Sequence, residues 1–114
     1  MPRTKNTFDT FTAIAEPKRR TLIERLAGDE LSVNQLVEYT HWNQPLVSKH
    51  LRVLKEAGLV AERRSGRQRL YQVNVDALRP VQHWVQQFEQ FWTQSFDQLD
   101  DYLVELQNKG VKDE

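Results

Sequence analysis

QPLVSKHLRVLKEAG, residues 44–58, carries two patterns at once. On a wheel of 100° per residue, Leu51, Leu54 and Gly58 fall within about 40° of Val47. That arc is the inner side of a packed helix. Pro45, Ser48, Lys49 and Arg52 fall between about 100° and 200° from Val47, a side with no apolar residue. Gln44 opens the helix between the two faces, and Lys55 lies beside Ser48. His50 sits about 60° from the apolar centre, which predicts a half-packed ring.

The flanks set the limits of this helix. Asn43 is a good N-cap, Pro45 fits a first turn whose N–H groups have no intrahelical partner, and Gly58 is a stop. Upstream, SVNQLVEYT (32–40) has Ser32 three residues before Gln35, the signature of a capping box on a short helix. HWN (41–43) joins the two, so residues 32–58 predict a helix-turn-helix. Phe8, Phe11 and Ile14 recur at helical spacing after the possible caps Asn6 and Thr7. Pro17 opens a second helix with Leu22, Ile23 and Leu26 inward and Gly28 at its end. Downstream, LVAERRSGRQRLYQV (59–73) predicts two strands around Ser65-Gly66. Asp76 and Pro80 then start a last helix running to about Leu106. The expected fold is mainly α with a small β-hairpin: a winged helix-turn-helix of five helices. It forms one domain over 1–114, with 76–107 as a long C-terminal dimerisation helix.

The outer face of residues 44–58 suits DNA. Gln44 can pair with an adenine edge, Lys49 and Arg52 with guanine or phosphate, and Ser48 with either. A solvated helix face would look similar. The hairpin tips the balance, because Arg63, Arg64, Arg67 and Arg69 crowd around one glycine turn. Four like charges there repel one another and add no core, but phosphates would neutralise them.

Net charge is zero, yet residues 1–72 carry +5 and residues 73–114 carry −5. That split suggests a basic region for a polyanion and an acidic one held away from it. With no cysteine, disulfides and thiolate chemistry are excluded. No apolar run approaches the ~20 residues needed to span a bilayer, and MPRTKNTFDT lacks the apolar core of a secretory signal. Both predict a cytoplasmic chain with no membrane partner. An enzyme is not expected, since neither a nucleophile elbow nor a phosphate-cradling glycine loop is present. The alternative reading is a winged-helix module whose basic face docks an acidic protein. RNA suits it less, because the wing lacks stacking aromatics.

EPKRRTLIERLAG, ELSVNQLVE, QPLVSKHLRVLKEAGLV and RRSGRQRLYQV resemble, in order and spacing, the ArsR/SmtB family of bacterial winged-helix repressors. The resemblance covers roughly residues 8 to 75, and VSKHLRVLKEAGLV is its most specific piece. It implies a homodimer on a palindromic operator of double-stranded DNA, with residues 44–58 in the major groove. It also implies that Ser48, Lys49 and His50 lie at or near the DNA and that the wing lies on the flanking minor groove or backbone. HWN departs from the family's usual turn, with Trp42 and Asn43 in place of a small or aliphatic residue and serine.

Many such relatives sense metals through Cys-x-Cys in the third helix. Here Ser32 and Asn34 stand at those positions, and neutral hydroxyl and amide groups are poor ligands for soft metals. A second family site uses His and carboxylates of the last helix, where this chain has only His83. Asp97, Asp100, Asp101 and Glu105 read there as a solvated acidic face. No metal and no cofactor are therefore expected. The last helix instead carries Val81, Val85, Phe88, Trp92, Leu99, Tyr102 and Leu106, which with the one polar position Ser95 alternate at spacings of four and three. With Phe8, Phe11 and Ile14, these residues are the expected dimer interface. The aromatic run WVQQFEQFWTQSFDQL could also wall a ligand pocket, and the inducer, small molecule or protein, is left open.

Overall fold

The structure, a computed structural model, describes residues 9–113 and the side chains of residues 9–108. Phe8 and the possible caps Asn6 and Thr7 lie outside the described residues. The order is α1 (Thr10–Ile14), α2 (Pro17–Leu26), β1 (Leu31–Ser32), α3 (Val33–Thr40), α4 (Gln44–Glu56), β2 (Val60–Ser65) and β3 (Gln68–Val73). A 3₁₀ turn over Val75–Leu78 leads into α5 (Arg79–Gln86) and α6 (Glu89–Asp113).

The caps explain the helix starts. Asp9 accepts from Thr12 N at 2.7 Å and opens α1. Glu16 accepts from Lys18 N, with Pro17 at the first position of α2. Ser32 and Gln35 form the expected capping box: Gln35 N donates to Ser32 Oγ at 3.2 Å, and Ser32 N to Gln35 Oε1 at 2.8 Å. Asn43 Oδ1 accepts from Leu46 N at 2.9 Å and starts α4. Between α3 and α4, His41 takes φ 63°, a left-handed conformation that a helix-turn-helix usually gives to glycine. Its N–H closes α3 on Val37 O at 2.8 Å.

The core of the first compact unit, residues 1–81, is what α4 packs into. Leu22, Ile23 and Leu26 of α2, Leu36 of α3, and Val47, Leu51 and Leu54 of α4 meet Leu31, Leu59 and Val60 there. Arg19 and Arg20 of α2 turn back on the carbonyls that α1 leaves unpaired. Arg19 Nε donates to Ala13 O at 2.6 Å and Arg20 Nη1 to Ile14 O at 2.7 Å. Two cations of the basic half thus serve α1.

The sheet is antiparallel in the order β1-β3-β2. The hairpin was legible, but β1 was not: Leu31 pairs Tyr71 and Ser32 pairs Leu70. Two residues are too short to show alternation. The hairpin loop is Gly66-Arg67, and Gly66 takes φ 64° at its first position, where a two-residue loop favours glycine.

The expected single last helix is two helices, so six are present among the described residues. At the break, Gln87 N bonds Trp84 O, Phe88 N bonds Val85 O and Phe91 N bonds Phe88 O, all three residues apart. Neither glycine nor proline marks this tightened turn in the sequence. The rings of Trp84 and Phe88 meet edge to face across it, 5.2 Å apart. The second unit, residues 82–114, holds α6, a helix of 25 residues. Among the described residues no helix is long and apolar enough to cross a membrane.

Candidate nucleic-acid interface

α4 presents the outer face read from its sequence. Gln44, Lys49 and Arg52 are exposed and Ser48 is half-buried, while Val47, Leu51 and Leu54 are buried. Neither Lys49 nor Arg52 has an ion-pair partner among the described residues. Both charges are therefore available to an anion.

His50 is different. The family resemblance places it at or near DNA, but its ring is only 6% exposed. α2 packs on that flank of α4 and closes over the position. His50 Nδ1 lies 3.5 Å from Arg19 Nη1. A guanidinium only donates, so the contact suits a neutral ring with its Nδ1 lone pair toward Arg19. Burial holds the His50 pKa below its usual range. Arg19 depresses it further, against a smaller opposing pull from Glu16, and Lys49 and Lys18 add less.

The four wing arginines are not equivalent. Pairing sets Val60 against Val73, Glu62 against Tyr71 and Arg64 against Arg69. By strand alternation these pairs share the face that carries buried Val60. Arg63 pairs with Leu70 on the other face. There its guanidinium grips Glu30, with Nε and Nη2 donating to the two carboxylate oxygens at 2.5 and 2.8 Å. That ion pair holds the Glu30 carboxyl below the usual range. Arg69 lies 3.8 Å from Glu62, whereas Arg64 and Arg67 have no acidic partner among the described residues.

Two shallow clefts join helix and wing. Ser48, Leu51, Arg52 and Lys55 of α4 line one, with Glu62, Arg69 and Tyr71 of the wing. Gln44 lines the other, with Asn34 of α3 and Arg67, Gln68 and Arg69 of the hairpin. Residues distant in sequence thus form a continuous polar, mainly cationic surface. The sequence alone did not reveal Glu62, the carboxylate that holds Lys55 and Arg69 of this surface, or Glu30, which holds Arg63 on the other face of the wing. Their only signal is the register, which places Glu62 two residues from the buried Val60 and across from Tyr71.

Of the expected dimer residues, Val81 and Val85 are half-buried, and Phe88, Trp92, Leu99, Tyr102 and Leu106 are exposed. Phe11 is exposed, and Ile14 packs against the core of the first unit. Among the described residues no group of three or more His, Asp and Glu side chains could hold a metal ion.

Comparison with known proteins agrees with this geometry. Residues 16–62 match the family model described as bacterial regulatory protein, arsR family. The chain is 37% identical over 85 residues to the HTH-type transcriptional regulator Rv2034 of Mycobacterium tuberculosis, covering 75% of this chain and 77% of that protein. It is 29% identical over 80 residues to the transcriptional repressor SdpR of Bacillus subtilis, covering 70% of this chain and 89% of the repressor. These relatives are transcriptional regulators, not enzymes. Among solved structures it resembles the homodimeric winged helix-turn-helix DNA-binding domain of Mb0332 from Mycobacterium bovis. The TM-score is 0.58 at 28% identity, covering 68% of this chain and 75% of that one.

Proposed function

Because this chain belongs to the arsR family of bacterial regulatory proteins, DNA-binding regulators of transcription, we propose that it represses genes as a homodimer on a pseudo-palindromic operator. α4 reads base edges in the major groove through Gln44, Ser48, Lys49 and Arg52. Arg64 and Arg67 of the wing hold the flanking phosphates. The observation that carries the reading is the surface on which Lys49 and Arg52 adjoin a wing with two arginines, all four without an ion-pair partner among the described residues.

The division of labour follows from chemistry. Amide and hydroxyl groups at the start of α4 carry directional donors and acceptors that distinguish bases, whereas guanidinium groups on a hairpin supply charge wherever a phosphate lies. His50 supports α4 from within. The dimer forms through the apolar stripe of α6, and a two-fold axis would set the two α4 helices about 34–36 Å apart, one turn of DNA. Homodimeric Mb0332 supports that assembly by likeness. Ser32, already spent as a cap, and the amide Asn34 leave no thiolate site at the start of α3, so release from DNA does not run through a thiolate-bound metal.

The test is a gel-shift series over salt concentration, with the promoter of the chain's own gene and random DNA of equal length. A promoter preference with a steep fall of affinity in salt is expected. Equal, salt-insensitive binding of both would refute the proposal. So would a footprint on one asymmetric half-site, or promoter affinity that zinc, cobalt or nickel switches.

A further inference from the structure

One acidic side chain sits inside the basic surface. Glu62 of β2 lines the cleft between α4 and the wing, with Ser48, Arg52, Lys55, Arg69 and Tyr71. Its side chain is 17% exposed. One carboxylate oxygen accepts from Lys55 Nζ of α4, and the other lies 3.8 Å from Arg69 Nη1 of β3. Tyr71, paired with Glu62 across the strands, lines the same cleft. These partners, Lys55 first, hold the Glu62 carboxyl below the usual range, so it is ionised wherever the protein is folded near neutrality.

An anion in a polyanion-binding cleft opposes the attraction of the cations around it. Glu62 occupies two of those cations, Lys55 and Arg69, and ties the reading helix to the wing through them. We propose that Glu62 is a specificity-determining residue: an internal counter-anion that keeps Lys55 and Arg69 from gripping phosphates of any DNA and holds α4 and the wing at one spacing. The proposal rests on the DNA-binding reading and deepens it. When a matching site is bound, α4 lies in register and the unpaired Lys49, Arg52, Arg64 and Arg67 supply the contacts. On other sequences the paired cations add little, so weak non-specific binding is kept weak. Glu30 provides the contrast, since it neutralises Arg63 on the opposite face of the wing and does not line this cleft.

The experiment measures the affinity of the full chain for two duplexes across a salt series. One duplex is selected by the wild-type chain from a random library; the other is its scrambled version. Glu62→Gln keeps the shape but removes the charge. It should bind scrambled DNA about three- to tenfold more tightly, with a log–log salt slope steeper by about one to two, as one or two more cations meet phosphates. The ratio of selected to scrambled affinity should fall about threefold or more as that non-specific term rises. Glu62→Asp, which keeps the charge and shortens its reach, should fall between wild type and Glu62→Gln. Glu30→Gln should strengthen both duplexes alike and leave the ratio within about twofold of wild type. Melting temperature and circular dichroism check that each variant is folded. The proposal is overturned if Glu62→Gln leaves the ratio unchanged, or if Glu30→Gln lowers it as much, since net charge and not position would then explain the effect. If the wild-type chain itself selects no sequence, the DNA-binding reading falls and takes this inference with it.

Discussion

At the scale of single residues, His50 links burial to pH. Its folded pKa is depressed below the ordinary 6.5 by burial and by Arg19. The unfolded chain takes up a proton as the pH falls through about 6.5, while the native ring resists until lower pH. The stability this ring contributes is therefore complete above that value and is lost as the pH drops toward the folded pKa. One unit below the unfolded value the loss from this group is at most about 1.4 kcal/mol. His50→Gln should flatten the fall in melting temperature between pH 7.5 and 5.5; a fall as steep as in wild type would show that His50 does not govern it. The carboxyls of Asp9, Glu16, Glu30 and Glu62, all held below their usual values, act in a more acidic window. The sequence placed His50 on a flank of α4. It could not say that α2 would close that flank, because the packing partner is 31 positions away.

At the scale of elements, α4 and the hairpin divide anchoring from contact. Leu51 is 2% exposed, so Leu51→Ala should lower unfolding free energy by about 2–5 kcal/mol in urea denaturation, through lost burial and the cavity left behind. On the outer side, Arg67→Ala should weaken selected and random DNA about equally and reduce the salt slope by about one, as loss of a phosphate contact does. Gln44→Ala should instead change which sequences are preferred, costing about 1–3 kcal/mol at one base position. Competition binding against single-base variants separates the two outcomes. Most of this was legible, because caps, apolar spacing and turn glycines are local signals. The capping box at Ser32 and Gln35 and the cap at Asn43 stand where the sequence indicated. The break between α5 and α6 was not legible, since it carries no proline or glycine and depends on three-residue hydrogen bonds among Trp84, Val85, Gln87, Phe88 and Phe91.

At the scale of the whole molecule, Phe88 in the turn before α6 is exposed, and α6 leaves Trp92, Leu99, Tyr102 and Leu106 exposed along one stripe of a helix roughly 37 Å long. Aromatics in such number call for a covering surface, and a second copy supplies it. Phe88→Glu should turn a dimer into a monomer in sedimentation velocity without unfolding the first unit. Operator affinity should then drop by about 10²-fold or more, because two half-sites no longer act together. A variant that stays dimeric would place the interface elsewhere. The residues alone were enough for the first four helices, the hairpin, the inner and outer faces of α4 and the absence of thiolate ligands. These follow from short-range rules of periodicity, capping and residue chemistry. The packed chain was needed to show that His50 turns inward, that Arg19 and Arg20 serve α1, that β1 exists, that Glu62 holds Lys55 and Arg69 of the basic surface, and that Glu30 holds Arg63 on the other face of the wing. Each depends on which distant residues come to lie side by side, and charge interactions and burial act through space rather than along the chain.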